Sequence, residues 1–147
     1  MTVLSSPLFF EDLGLGQRAS LMRTVADGDL HPFARTKREG DALLPTAGAG
    51  DPDRFGQRVA QGIFTTNLIS AVLGTKLPGP GAVFLSQTLQ YLAPVGLGDI
   101  VTAQVEVVEL VPARLRARLF CECVCNGKPV LEGEAWVAVD SRAAWSA

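Results

Sequence analysis

The chemistry open to this chain is limited by its functional side chains: fifteen carboxylates, three cysteines and a single histidine. Two of the carboxylates, Glu39 and Asp41, stand just before Leu43 and Leu44. Burial beside these leucines would raise the pKa of Glu39 and suit it for proton transfer, whereas in solvent it would be an ordinary loop carboxylate. The sequence therefore points first to acid–base chemistry by carboxylates, with Glu39 and then Asp41 as the candidates.

The histidine and the cysteines do not form a recognisable site with one another. His31 lies in a short predicted helix and is expected to be a surface or capping residue, the alternative being a general acid that reaches a site from elsewhere in the fold. Three cysteines alternate along one predicted strand without the two-residue gap of zinc and redox motifs: Cys121, Cys123 and Cys125. We expect buried thiols that act as small apolar side chains, and neither a metal ion nor another cofactor.

The composition predicts a folded protein and excludes several classes of partner. Apolar residues make up 48% of the chain and charged residues 19%, which is too apolar for a disordered protein. Lys and Arg total 13 against 15 Asp and Glu, and no basic stripe is present, so neither nucleic acid nor an anionic membrane is an expected partner. The first residues lack the basic start of a signal peptide, and no run of about 18 apolar residues occurs. We expect a cytoplasmic protein.

The candidate residues must be positioned by one long helix, which is predicted over residues 58–74. Apolar side chains surround this segment almost completely, and this predicts burial of most of its faces. Gly74 is a candidate C-terminal cap, and the prolines that follow prevent continuation. Before the helix, residues 19–25 alternate as a short strand and residues 30–35 fit a short helix. Residues 41–54 are expected to form a loop or a loosely helical stretch, and are a candidate lid or site wall.

Four strands are predicted after the helix, over residues 83–92, 100–110, 115–125 and 131–139. The dipeptide Asn126-Gly127 between the last two is a strong signal for a two-residue hairpin. A long buried helix followed by an antiparallel meander is typical of an α+β fold in which the sheet wraps the helix. We expect one domain over residues 1–147, with loose termini at 1–8 and 141–147.

Five short motifs, in order and at matching spacing, resemble one known family. They are Phe10-Glu-Asp-Leu-Gly-Leu-Gly, Arg54-Phe-Gly-Gln-Arg-Val-Ala-Gln-Gly-Ile, Pro78-Gly-Pro-Gly, Leu85-Ser-Gln and Leu92-Ala-Pro-Val-Gly-Leu-Gly-Asp. From about Phe9 to Val139 the chain resembles the MaoC-like, single hot dog (R)-specific enoyl-CoA hydratases. The resemblance implies a hot dog fold, at least a dimer, and an acyl-thioester ligand, carried by CoA or by an acyl carrier protein.

The resemblance also implies where the reaction takes place. In this family an Asp and a His, five residues apart with an Asn between them, hold the water that adds across an enoyl thioester. A backbone N–H at the start of the central helix holds the thioester oxygen and stabilises an enolate. This position is Gly62 here, with Ile63 after it and Gln61 before it. Gln61 replaces a family histidine and can still donate a hydrogen bond.

This sequence departs from the family at the Asp–His motif. Counted back from Phe55 without gaps, Glu39 stands at the Asp position, Asp41 at the Asn position and Leu44 at the His position. A second alignment, with an insertion and a deletion, places Asp41 on the family Asp and Thr46 on the His. Neither alignment supplies a histidine, and Leu44 has no proton to transfer. We therefore expect weak or altered hydratase activity.

Three functions follow from this departure. The chain could be a hydratase with a rearranged site, in which Glu39, Asp41 or a side chain of a neighbouring chain does the acid–base work. It could be a non-catalytic thioester-binding subunit that pairs with a homologous hot dog chain, instead of forming a homodimer or larger homo-oligomer. Alternatively, it could be an acyl-CoA thioesterase in which Glu39 or Asp41 activates water. Hydration requires proton delivery to carbon, whereas thioester cleavage requires one base and releases a free thiol.

Overall fold

The computed structural model describes residues 8–29 and 52–146 and, in the second range, the side chains of residues 62–144. The elements are β1 (Arg18–Thr24), α1 (Pro52–Thr75), β2 (Val83–Tyr91), β3 (Ile100–Val111), β4 (Arg116–Cys125), β5 (Lys128–Ala138) and α2 (Arg142–Ser146). Short 3-10 turns occupy Phe10–Asp12 and Pro112–Arg114. All four strands predicted after the helix are present, and the short strand predicted at 19–25 is β1.

The strands form one antiparallel sheet in the order β1-β3-β4-β5-β2. The predicted hairpin joins β4 to β5, with Cys125 paired to Lys128. Its two loop residues, Asn126 and Gly127, have φ angles of 53° and 76°. Positive φ at both positions is the geometry of the turn that best matches the twist of paired strands. The α+β arrangement expected from the sequence, a long helix packed on an antiparallel sheet, is confirmed.

The core lies between α1 and the inner face of the sheet, where β3, β4 and β5 supply the buried side chains. Alternate residues of β3 are fully buried, as the period of two predicted: Val101, Ala103, Val105 and Val107. The helix contributes Phe64, Leu68, Ile69, Val72 and Leu73. The three cysteines of β4 are free and buried in this core, as expected. Burial raises the pKa of Cys121 and of Cys123 to about 12, so these thiols stay protonated and are poor nucleophiles at neutral pH.

The helix is longer than predicted, and it ends differently. It begins at Pro52, not at residue 58, and continues through Gly74 to Thr75. Gly74 is therefore an interior residue and not the cap. The glycine that follows the helix end with a positive φ is Gly79, at 89°, and its N–H donates to the carbonyl of Leu73 over 2.9 Å. Gly79 accepts this conformation because it has no Cβ.

One face of α1 is open in this chain, although the pattern predicted burial of most of its faces. Ile63 is 43% exposed, and Asn67, one helical turn further on, is exposed as well. Residues four apart lie on the same side of a helix. This face, which carries Ile63 and the polar Asn67, is therefore not buried against the sheet. No helix among the residues described has the length and apolar character needed to cross a membrane.

Three further predictions concern segments at or beyond the ends of the described ranges. The segment expected to be a loose C-terminus forms α2, and Arg142 donates its N–H to Glu11 over 2.8 Å and pairs with Asp12. The short helix predicted at 30–35, with His31, lies outside the described residues. Most of the candidate lid at 41–54 does as well.

Candidate functional site

A cleft of about 780 Å³ lies between the open face of α1 and the segment that follows β2. Its helix wall includes Gly62, Ile63, Thr66 and Asn67, and its other wall is residues 91–95. The sheet order explains the position, because β2 is an edge strand and its end passes beside α1. This volume is in the range of about 300–1,000 Å³ that small-molecule sites occupy, and its lining is apolar apart from a few polar groups, as such sites commonly are.

Tyr91 connects the two walls of the cleft. Its ring lies over Gly62, where an added Cβ would be 3.5 Å from Cε1. Its hydroxyl oxygen is 2.6 Å from Oγ1 of Thr66, and either atom could be the donor. Gly62 and Thr66 are four residues apart and therefore share one helix face. The Tyr91 side chain thus covers one turn of α1.

Thr65 fixes the helix wall against the sheet behind it. It is the one buried polar side chain among the described residues, at 4% exposure. Its hydroxyl donates to the carbonyl of Gly62 over 3.2 Å, and its own carbonyl accepts from Sγ of Cys123 at 3.7 Å. These two hydrogen bonds connect the helical turn that carries Gly62 to Cys123 of β4.

The structure brings together part of the predicted site. Gly62 and Ile63 both line the cleft, and their substrate-binding role stays a prediction. The side chain of Gln61 lies outside the described part of the chain, and so do the catalytic candidates Glu39 and Asp41 and the motif positions Leu44 and Thr46. Within residues 8–29 and 52–146, no group of three or more His, Cys, Asp or Glu side chains is placed to hold a metal ion.

The helix bounds alter the argument for Gly62 as the oxyanion site. That role was implied by the family resemblance, in which a backbone N–H at the start of the central helix holds the thioester oxygen. The helix begins at Pro52, so Gly62 is on its third turn. An amide there normally donates to the carbonyl four residues earlier. The oxyanion role of this amide stays a prediction, without the helix-start argument that supported it.

Sequence reasoning missed Tyr91, Thr66 and Asn67 as lining residues. Tyr91 is the single tyrosine of the chain and lies next to the end of a strand predicted over residues 83–92. Thr66 and Asn67 lie one turn after Gly62 and Ile63, within the most apolar part of the helix. That spacing placed the pair on the same face as the predicted site and was the available signal.

A side chain at Gly62 should affect the cleft more than the fold. For Gly62→Ala we expect a gain of about 0.5–1 kcal/mol in the free energy of unfolding, because Ala is the better helix residue and its Cβ meets the Tyr91 ring at an ordinary contact distance. The larger side chain of Gly62→Val should displace the ring and weaken ligand binding. Thermal unfolding measured with and without an acyl-CoA separates the two effects. A valine variant that binds acyl-CoA as the native chain does would remove Gly62 from the site.

Comparison with known proteins gives the family of this chain. No model of a known protein family matches it. It is 46% identical over 135 residues to a 3-hydroxybutyryl-CoA dehydratase of Methylorubrum extorquens, covering 92% of this chain and 86% of the relative. It is 41% identical over 134 residues to an (R)-specific enoyl-CoA hydratase of Rhodospirillum rubrum, covering 91% and 93%.

Solved structures agree with the sequence relatives. The R-hydratase of Pseudomonas aeruginosa, in its unliganded form, superposes with a TM-score of 0.74 at 34% identity, covering 92% of this chain and 88% of that one. The helix and the wrapped antiparallel sheet described above are therefore the hot dog fold. With relatives this similar over nearly its whole length, the chain belongs to the MaoC-like family of (R)-specific enoyl-CoA hydratases and dehydratases.

Proposed function

We propose that this chain binds acyl-CoA thioesters in the cleft beside Gly62 and interconverts trans-2-enoyl and (R)-3-hydroxyacyl thioesters at a reduced rate. The similarity to a 3-hydroxybutyryl-CoA dehydratase is the observation that carries the proposal. The cleft supports it, because an apolar lining with a few polar groups suits a short acyl chain ending in a polar thioester. A carrier protein could present the same acyl group.

The reduced rate follows from the proton transfers that hydration requires. A base takes a proton from water, the hydroxide adds to C3, and an acid delivers a proton to C2, while negative charge passes through the thioester oxygen. In the alignment without gaps, Glu39 is the remaining acid–base group and Asp41 stands beside it. Leu44 supplies no proton. We therefore assign the role of general base to Glu39, and we attribute the reduced rate to the proton transfer that the absent imidazole would perform.

Binding should survive this loss and is the first test. We expect butyryl-CoA, which is saturated and does not react, to raise the melting temperature, since it binds the folded state only. At about 100 times the Kd this stabilisation is about 2.7 kcal/mol, or roughly 5–10 °C for a domain of this size. Thermal unfolding with butyryl-CoA, free CoA and no ligand measures it. A shift of equal size with free CoA would mean that only the nucleotide is bound, and no shift with either would exclude the proposed ligand.

The alternative functions give different products when the purified chain is mixed with a trans-2-enoyl-CoA. Release of free thiol without hydration would indicate a thioesterase that uses Glu39 or Asp41. Activity that appears only on mixing with an intact homologous chain would indicate a non-catalytic subunit. Loss of enoyl absorbance by the purified chain supports the proposed reaction.

We also propose that two copies assemble through β2. This strand is at the edge of the sheet, carries no charged residue, and exposes Val83 (57%), Phe84 (45%) and Leu85 (41%). Edge strands of monomeric proteins are commonly protected by charges or prolines, because an exposed edge pairs with another strand. A second copy of the chain presents the same edge. A contact between the two edges about a two-fold axis would pair the edge strands and cover their exposed apolar side chains.

Light scattering should give about twice the chain mass of 15.6 kDa. Leu85→Lys places a charge on the edge and should shift the protein toward monomer. Leu97→Lys is the matched control, because Leu97 is 62% exposed in the turn between β2 and β3 and should leave the mass unchanged. A native chain that is monomeric at all concentrations would contradict the assembly, and so would an unaffected Leu85→Lys variant.

A further inference from the structure

The hydroxyl groups of Thr66 and Tyr91 form a pair inside the cleft. Their oxygens are 2.6 Å apart, and neither has another partner among the residues that the structure describes. Each hydroxyl has one proton, and one hydrogen bond between them uses one of the two. Whichever group donates, one O–H of the pair remains available to a third group.

That remaining O–H is a better donor than an isolated hydroxyl. Its oxygen already accepts a hydrogen bond from its neighbour, and chains of hydrogen bonds polarise one another. A phenolic O–H is a stronger hydrogen-bond donor than the aliphatic O–H of Thr66. The more favourable arrangement toward a developing negative charge is therefore Thr66 donating to Tyr91 and Tyr91 donating outward.

The position of the pair suits a ligand oxygen next to Gly62. The Tyr91 ring lies on Gly62, and Thr66 is one helical turn further on. The proposed function places an acyl thioester in the cleft beside Gly62, and the amide of Gly62 is in the interior of a helix that begins at Pro52. An oxygen bound there needs a donor that the helix backbone does not supply in its regular hydrogen-bonding pattern.

We propose that Tyr91, positioned by Thr66, donates a hydrogen bond to the thioester carbonyl oxygen of an acyl ligand in this cleft. The inference rests on the proposed function of the cleft as an acyl-thioester site. Tyr91 touches the ligand, and Thr66 acts through Tyr91 by holding its hydroxyl over α1. The bond should strengthen as charge builds on the carbonyl oxygen during hydration, which is the step where a preorganised donor lowers the barrier.

A pair of ligands that differ at one group tests the contact. Butyryl-CoA carries the thioester carbonyl, and S-butyl-CoA, a thioether, has a methylene in its place. We expect the native full-length chain to bind the thioester about 3–10-fold more tightly than the thioether, the usual range for one hydrogen bond. Titration calorimetry of both ligands gives the ratio without any need for turnover.

Tyr91→Phe removes the hydroxyl and keeps the ring on Gly62. It should bring the thioester-to-thioether ratio to about 1 and leave binding of the thioether unchanged. Thr66→Val keeps the side-chain shape and should lower the ratio part of the way, and the double variant should be no worse than Tyr91→Phe, because the two groups act in series. Tyr91 is 58% exposed, so Tyr91→Phe should fold normally.

Asn67→Ala tests the competing polar side chain of the helix wall, since Asn67 is exposed and lines the same cleft. It should leave the ratio unchanged. A ratio that is the same in the native chain and in Tyr91→Phe overturns the proposal while the cleft stays an acyl-CoA site. A ratio that falls only in Asn67→Ala transfers the contact to Asn67. If the native chain binds neither ligand, the proposed function fails and this inference fails with it.

Discussion

Purified alone, this chain is expected to hydrate a short trans-2-enoyl-CoA about 10²–10⁴-fold more slowly than a relative that has the Asp–His pair. A positioned general acid or base contributes about this factor, and Leu44 supplies none. The cleft and its donors remain, so a small residual rate should persist. The measurement is the loss of enoyl absorbance, with the release of free thiol followed in parallel to detect thioester cleavage.

Restoring the motif should restore the rate. In the alignment without gaps, the change is Glu39→Asp, Asp41→Asn and Leu44→His together. Leu44→His by itself should gain less, because Asp41 would pair with the new imidazole and divert it from water. Leu43→His serves as the matched control, since it adds the same group one residue away and should gain nothing.

Two results would contradict this account of the motif. Hydration by the native chain at the rate of its intact relatives would mean that another group replaces the imidazole. Activity restored by Thr46→His and not by Leu44→His would favour the second alignment, in which Asp41 takes the place of the family Asp. Because these residues lie outside the described ranges, kinetics of the variants is the direct way to distinguish the alignments.

The strands could be predicted because their signal is local and periodic. Side chains of β3 and β4 alternate between the core and the outer face, so apolar residues recur at every second position from Val101 to Val107. The dipeptide Asn126-Gly127 fixes the hairpin for the same local reason, since both residues accept a positive φ. The family motifs span these same elements, and the relatives confirm the fold that they indicated.

The helix ends were harder to predict because the residues near them are compatible with more than one local conformation. Pro52 stands in a segment rich in Gly, Asp and Pro that reads as a loop, yet proline is favoured at the first position of a helix. Glycine commonly caps the C-terminus of a helix, but the helix continues through Gly74. Gly79, beyond the helix end, donates its N–H to the carbonyl of Leu73.

The cleft was only half predicted, since one of its walls is made by a long-range contact. Gly62 and Ile63 came from the helix motif, whereas Tyr91 is 25 residues away from Thr66 and meets it across the fold. No periodicity links two such positions. Contacts of this kind depend on where β2 ends relative to α1, which follows from its pairing with β5.

That pairing depends on Gly133, and Gly133→Ala is expected to be the most destabilising small substitution in the described part of the sheet. Gly133 pairs with Leu89 of β2 on one side and with Cys121 of β4 on the other. A Cβ at Gly133 would overlap the carbonyl oxygen of Thr88 and lie 2.9 Å from Cα of Leu89. These are backbone atoms of a paired strand, so no change of rotamer relieves the clash.

Relief requires β2 to move away from β5, which breaks the ladder between them and displaces Tyr91 from α1. We expect the free energy of unfolding to fall by about 3 kcal/mol or more, at the upper end for overpacking, and the melting temperature to fall by at least roughly 6–12 °C. Gly14→Ala is the matched control, because nothing lies within 4 Å of its added Cβ; it should change stability by less than about 0.5 kcal/mol. Calorimetry compares the two variants, and amide exchange over β2 shows whether the damage begins at that strand. If Gly133→Ala melts with the native chain and β2 stays protected, then β2 and β5 are not in the close register described here, and the wall of the cleft that depends on them must be placed differently.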